Sequence, residues 1–213
     1  MPVNEILTSP SPPSEAPGTV LFETERLIVR RYLMSDAPSM SATANDPAVA
    51  VNLRNRFPSP YTLSDAESFL GDACKPDGTA YPLHNGIFVK PGVPGNPSST
   101  PLFIGGIGIM VKADVYYRTW ELGYWLGPGA AGKGYMTEAA RAFARWAFAT
   151  WPALNRLEAA ILARNEASQR VVRKVGFVEE GRRRQAAEKK GELLDEVIFG
   201  LLRSDFEKMD SRE

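Results

Sequence analysis

The sequence predicts an α/β fold, with one mixed central sheet of about six or seven strands flanked by helices. Apolar runs of strand length fill the middle of the chain, at Gly86–Lys90 and Leu102–Val111. A glycine-rich loop then joins the strand-like stretch Thr119–Leu126 straight to an amphipathic helix at 137–149. Two later stretches, near 177–184 and 193–202, read as the closing strands.

Taken in order, residues 8–18 are rich in proline and serine with almost nothing to bury. Residues 1–20 are therefore expected to be a disordered tail, 21–208 a single domain, and 209–213 a short C-terminal tail. Arg26–Tyr32 reads as the first strand. Ser35 or Asp36 can cap a helix, and Pro38 is tolerated near its start because its missing N–H would be unpaired there. A second helix begins near Ser64 and Asp65, with Leu63, Phe69 and Leu70 available for the core. The segment Pro91–Pro101 has too much proline and glycine for a regular element, which predicts a long, exposed, mobile hairpin loop without chemistry. Within the helix at 137–149, Ala140, Phe143, Ala144, Ala147 and Phe148 form an apolar stripe that packs on the sheet.

Composition sets the limits. A chain of 213 residues with 44% apolar content can bury one substantial core. The formal net charge is zero, so there is no electrostatic footprint for nucleic acid or an anionic membrane. No apolar run approaches the roughly 20 residues that span a bilayer. Residues 1–10 lack the basic and apolar regions of a secretory signal, and Cys74 is the sole cysteine, so the cytosol is the expected compartment. One cysteine and one histidine, His84 in a turn, give no metal site of the common N/S type.

The chemistry concentrates at Glu121–Ala140. Glycines at 127, 129, 132 and 134 clear the backbone for a ligand, and the helix that follows carries unpaired N–H groups with partial positive charge. That is an anion cradle, although an ordinary tight strand-to-helix turn would use the same residues. Gly127–Lys133 satisfies the G-x-x-x-x-G-K part of a nucleotide-triphosphatase loop, but Gly134 stands where the magnesium-binding Ser or Thr belongs. That reading loses its metal ligand.

What remains, Ala131-Gly-Lys-Gly-Tyr-Met136, resembles the pyrophosphate loop of the GNAT acetyltransferase superfamily, R/Q-x-x-G-x-G/A, with the central glycine kept and both ends changed. A second segment, Arg156–Gly181, resembles the superfamily's fifth strand and following helix. It carries Asn165-x-x-Ser168 and then Lys174-Val-Gly176-Phe177, a pattern similar to the ribosomal-protein-alanine N-acetyltransferases. Thr24–Arg31 followed by Ser35-Asp36 resembles that subgroup's opening strand and first helix, so the likeness covers roughly residues 22–206.

The resemblance implies a GNAT fold in which strands Thr119–Leu126 and Arg156–Arg164 run parallel and splay apart to admit acetyl-CoA as cosubstrate. It assigns the pantetheine arm to backbone groups of Tyr124 and Leu126, with Asn165 on its far side. The phosphates fall to Ala131, Gly132, Lys133, Gly134, Tyr135, Met136 and Thr137, and Lys174 of the signature joins the cofactor set. The Leu126 N–H would polarise the thioester carbonyl. Glu121 is the candidate base for the attacking amine, and Ser168 the candidate donor to the departing sulfur, close to the cofactor. The structural alternatives are a strand-end ion pair for Glu121 and a helix cap for Ser168. A tyrosine acid is excluded, because its place is taken by Val172.

The segment Asn52–Tyr61 would line the acceptor pocket, with Phe57 and Tyr61 as walls and Arg54 and Arg56 favouring an acidic group, unless they form a solvated basic turn. The expected acceptor is a small-molecule amine or a peptide N-terminus, since an α-amine (pKa about 8) is easier to deprotonate than a lysine (about 10.4). A monomer or homodimer is expected. The altered loop ends and the absent tyrosine keep a second reading open, a catalytically idle acyl-CoA-binding or regulatory module.

Overall fold

The computed structural model describes residues 7–210. Its strands are β1 (Val20–Glu23), β2 (Leu27–Arg31), β3 (Asn85–Val89), β4 (Leu102–Val111), β5 (Thr119–Leu126), β6 (Arg156–Leu162), β7 (Val178–Lys189) and β8 (Glu192–Leu202). Its helices are α1 (Ala37–Ala44), α2 (Pro47–Ala50), α3 (Leu63–Ala73), α4 (Tyr135–Thr150), α5 (Glu166–Val175) and α6 (Arg203–Asp210).

The strands form one open mixed sheet in the order β1-β2-β3-β4-β5-β6-β8-β7. Eight strands replace the expected six or seven because Val20–Glu23 pairs antiparallel with β2, forming a short edge strand from a segment that reads as tail and connector. β5 and β6 are parallel, whereas β6–β8 and β7–β8 are antiparallel. The described residues fall into two compact units, one of residues 13–109 and 124–142, the other of residues 7–12, 110–123 and 143–210.

In the unit of residues 13–109 and 124–142, β3 is buried along its whole length, which requires cover on both faces. One core cluster joins Phe88 and Phe103 from the strands, and Tyr32 just past the end of β2, to Met40 and Ala44 of α1 and Ala66 and Leu70 of α3. Asp36 sets the start of α1, accepting the Leu33 N–H at 2.8 Å and holding the Arg30 guanidinium at 2.7 and 2.8 Å. Helix α3 starts one residue ahead of the expected Ser64, capped by Thr62, whose hydroxyl accepts the Asp65 N–H while Asp65 accepts the Thr62 N–H at 2.8 Å. The sequence reading missed α2, a single turn capped by Asp46.

Two segments expected to be loose are tied down. In the Pro/Ser-rich stretch, the Glu15 carboxylate accepts backbone N–H groups from Asp77, Gly78 and Ala80, and the Ser14 carbonyl accepts from Arg31. Residues 1–6 of that expected tail, and 211–213 of the C-terminal one, lie outside the described residues, while 209 and 210 belong to α6. The proline-rich loop between β3 and β4 is organised by Asn96, only 2% exposed. Its amide donates to the carbonyls of Val89 and Thr100, and its Oδ1 accepts from Ser98.

In the other unit, the core is aromatic. Trp120 of β5 meets Trp151 at 4.9 Å, Trp151 meets Trp146 at 5.3 Å, and Phe148 meets Phe206 at 5.7 Å. The last carbonyls of α4 have no intrahelical donor, so something outside the helix must satisfy them. Arg203 does this for Phe148, its Nη2 donating to that oxygen at 2.8 Å, and it also ties down the segment after the helix, donating from Nη2 to Trp151 O at 2.8 Å and from Nε to Leu154 O at 2.9 Å, with the guanidinium 4.9 Å from the Phe148 ring centroid. Chemical denaturation of Arg203→Ala is expected to show a loss of about 2–3 kcal/mol. A loss below roughly 0.5 kcal/mol, the level of an ordinary surface change, would contradict this role.

Candidate active site

The glycine-rich loop starts where β5 ends. The Gly127 N–H donates to Ile104 O at 2.9 Å, and Gly105 of β4 has no side chain because a Cβ there would stand 2.2 Å from the Trp125 carbonyl oxygen. Residues 128–130 form a 3₁₀ turn in which the Ala131 N–H donates to Pro128 O at 3.1 Å. Ala131 therefore spends its N–H inside the loop, which removes it from the expected set of donors to a ligand.

Gly132 and Gly134 have φ of 74° and 79°, a left-handed conformation that side chains disfavour. These two residues turn the chain into α4, and the exposed stretch 131–134 lies just ahead of it. The first backbone bond of α4 runs from Glu138 N–H to Gly134 O at 3.1 Å. The N–H groups of Tyr135, Met136 and Thr137 thus belong to the turn with no intrahelical acceptor, where the helix dipole is positive. Met136 is 5% exposed, so its bulk lies in the core and it offers the site its backbone alone.

Three residues at this loop, Thr24, Arg26 and Glu138, were not found as site residues from sequence. Arg26, at the turn between β1 and β2, holds Glu138 through its backbone N–H at 3.1 Å and its Nε at 2.7 Å, and its Nη1 donates to Lys133 O at 3.1 Å. Thr24 Oγ1 also donates to Glu138. Burial alone would raise the Glu138 pKa, but the bonds from Thr24 and Arg26 outweigh it and hold the carboxyl below its ordinary value. Tyr135 is fixed from two sides, its hydroxyl donating to Pro94 O at 3.0 Å and its ring lying 4.7 Å from the Arg26 guanidinium.

In the same unit, the expected acceptor segment is aromatic. Phe57 is half-buried, 4.8 Å from the Tyr61 ring and 5.7 Å from the Trp125 ring, and Trp125 lies 5.9 Å from Phe103. Tyr61 is 4% exposed, its hydroxyl is directed at the Met40 sulfur at 3.6 Å, and burial pushes its pKa up to about 12. Tyr61 is thus a buried neighbour of Phe57 rather than the expected pocket wall, and Trp125, half-buried, meets Phe57 edge to face. Arg54 is exposed and its carbonyl accepts the Phe57 N–H at 3.0 Å, closing the turn that presents Phe57. Tyr124 and Leu126 are half-buried on the last residues of β5.

In the unit of residues 110–123 and 143 onward, parallel pairing joins Thr119, Trp120 and Glu121 to Arg156, Leu157 and Glu158 and goes no further along β5. β6 stays paired with β8 from Arg156 to Leu162. Glu121 is half-exposed and stands in register with Glu158. Glu158 is itself neutralised by the Lys112 ammonium and lies 3.5 Å from Arg156 Nε, while Arg156 also binds Glu180. Glu121 thus borders a row of charges on the sheet.

Helix α5 follows β6, and its cap is Asn165, whose Oδ1 accepts the Ser168 N–H at 3.2 Å. The cap is Asn165, not Ser168, so capping no longer accounts for the serine hydroxyl. Capping also takes up part of the Asn165 side chain that was assigned to the pantetheine arm. Lys174 is exposed in the last turn of α5, six residues beyond Ser168, about 9 Å along the axis. It is not brought beside Asn165 and Ser168, and its charge complements the negative end of the helix. Val172 is fully buried.

Residues 26–178 match the family described as an acetyltransferase (GNAT) domain. The chain is 34% identical to the uncharacterized N-acetyltransferase p20 of Bacillus licheniformis over 184 residues, covering 86% of this chain and 96% of that protein. It is 33% identical to YjcK and 35% identical to YdaF of Bacillus subtilis, over 59% and 44% of its own length. Those alignments span 64% and 51% of the two relatives. Among solved structures, the ribosomal-protein-S5-alanine acetyltransferase of Vibrio fischeri superposes with a TM-score of 0.70 at 24% identity, over 87% of this chain and 97% of that one. RimL, a ribosomal L7/L12 α-N-protein acetyltransferase in complex with coenzyme A, gives 0.70 at 18% identity, over 86% and 97%. At these identities the likeness speaks to fold, whereas the domain match and p20 speak to kinship: the chain belongs to the GNAT acetyltransferase family.

Proposed function

We propose that the protein is an acetyl-CoA-dependent N-acetyltransferase that passes an acetyl group directly to a primary amine, either a peptide N-terminal α-amine or an amino-acid-like small molecule. The observation that carries this reading is the first turn of α4, where the N–H groups of Tyr135, Met136 and Thr137 follow two left-handed glycines and have no acceptor in the helix. A pyrophosphate is the natural occupant of such a site. Family membership supports the acetyl group, and α-amine acceptors are supported by one neighbour named for ribosomal-protein-S5 alanine, by RimL, named for α-N-acetylation of ribosomal L7/L12, and by YdaF, which carries a provisional name as a ribosomal N-acetyltransferase.

In this reading the Leu126 N–H stabilises the oxyanion as the thioester carbonyl becomes tetrahedral, an interaction stronger in the transition state than in the substrate. Glu121 accepts the proton of the attacking ammonium, directly or through a water. The Ser168 hydroxyl donates to sulfur as the thiolate leaves. Phe57 and Trp125 offer an aromatic wall to the acceptor, and Arg54 favours an acceptor bearing a carboxylate. No described helix is long and apolar enough to cross a membrane. We place the activity in the cytosol.

Thermal unfolding tests the cosubstrate. Acetyl-CoA at about 100 times its Kd is expected to add roughly 2.7 kcal/mol, a Tm rise on the order of 5–10 °C for a chain of this size, while Mg-ATP has no effect. A shift with Mg-ATP alone would overturn the assignment. For the chemistry, Glu121→Gln is expected to lower kcat by about 10²- to 10⁴-fold with acetyl-CoA binding intact. Unchanged turnover would remove Glu121 from the mechanism. In a thiol-release screen, peptides with free α-amines are expected to outrun N-blocked lysine peptides. Acetyl-CoA binding with no thiol released by any amine would instead favour a binding or regulatory module.

A further inference from the structure

We propose that Arg26 and Glu138 form a positioning pair that sets the phosphate loop, aiming one backbone donor outward and keeping the first turn of α4 free of a competing carboxylate. This inference rests on the acetyl-CoA reading of the same loop. Its residues are Thr24, Arg26, Lys133, Gly134, Tyr135 and Glu138.

The aiming follows from peptide geometry. In a trans peptide the C=O and the following N–H point in opposite directions. Arg26 Nη1 donates to the Lys133 carbonyl at 3.1 Å, which draws that oxygen toward the β1–β2 turn. The Gly134 N–H, across the same peptide bond, therefore points away from Arg26. Gly134 has φ of 79°, a conformation that favours glycine, and the Arg26 guanidinium lies beside it, with Nη2 3.5 Å from where a Cβ would stand.

Charge gives the second half. An acidic side chain in the first turn of a helix is stabilised by the dipole, and so it competes with any anion for the same field. Glu138 is the acidic residue in the first turn of α4. Arg26 makes a salt bridge to it at 2.5 Å in addition to the Nε and backbone bonds, and Thr24 supplies a hydroxyl. The pair is partly buried, with side-chain exposures of 32% for Arg26 and 19% for Glu138. The turn carrying Arg26 is anchored in its own right, since Thr24 Oγ1 accepts the Leu27 N–H at 2.9 Å and Lys90 Nζ donates to Thr24 O at 2.7 Å. Tyr135, packed under the Arg26 guanidinium, fixes the helix end of the loop.

Calorimetric titration of the full chain with CoA and with pantetheine, which has no pyrophosphate, tests the pair. Arg26→Ala is expected to weaken CoA binding by about tenfold or more, to leave pantetheine binding as in the parent, and to raise KM for acetyl-CoA with little change in kcat. Arg26→Lys is expected to behave similarly, because an ammonium cannot span Glu138 and the Lys133 carbonyl as a guanidinium fork does. It also serves if the alanine variant does not fold. The double variant Arg26→Ala/Glu138→Gln, which lacks the freed carboxylate, is expected to regain part of the lost CoA affinity. CoA affinity unchanged in Arg26→Ala and Arg26→Lys, or equal losses for CoA and pantetheine, would overturn the positioning role while leaving the acetyl-CoA reading in place. No CoA binding by the parent would overturn both.

Discussion

A helix cannot satisfy the N–H groups of its own first turn. At most helix starts a capping side chain or water meets this need, as Thr62 does for α3 and Asn165 for α5. At α4 the chain instead approaches through Gly132 and Gly134, neither of which brings a side chain to cap with. An N-cap without a side chain leaves the first-turn N–H groups to water or to an anion. The rest of this unit is arranged around that end: Gly105 admits the strand before the loop, the hairpin loop organised by Asn96 lies behind Tyr135, and the β1–β2 turn delivers Arg26.

The charged and aromatic groups divide the remaining work. Where Phe57, Tyr61, Trp125 and Phe103 gather, rings meet edge to face or tilted, so apolar area is buried in a fixed geometry. In the other unit, Trp120, Trp146 and Trp151 make a rigid core beneath β5 and α4, and Arg203 closes the C-terminal end of that helix. Glu121 is on the strand that carries Trp120. Alternation along a strand puts one residue in the core and the next on the opposite face, so the packing that fixes Trp120 also fixes the direction of Glu121.

What was legible in the sequence was local. The glycine loop, the amphipathic stripe of α4 and the Asn165-x-x-Ser168 helix start all declare themselves within a few residues, and β8 formed where an apolar run placed it, whereas the charged, exposed strand β7 runs to Lys189, five residues past its expected end. The short edge strand β1 was invisible because its four residues follow a proline-rich stretch and gain strand character only by pairing with β2. Tyr61 was read as a pocket wall because an aromatic beside Phe57 looks the same from sequence whether it faces a ligand or the core. Arg26 and Glu138 each lie in a segment that the sequence singles out, but they are 112 residues apart. Their meeting is a product of the fold, and no periodicity or spacing signals it.

The central claim is that the first-turn amides of α4 hold the phosphates of coenzyme A. Backbone amide NMR of the labelled chain, titrated with coenzyme A and then with inorganic pyrophosphate, addresses it at the atoms concerned. The account predicts that the Gly134, Tyr135, Met136 and Thr137 N–H resonances move with both ligands, while the Ala131 N–H, bonded within its own turn, moves less. Binding of coenzyme A that leaves those four amides unperturbed would contradict it.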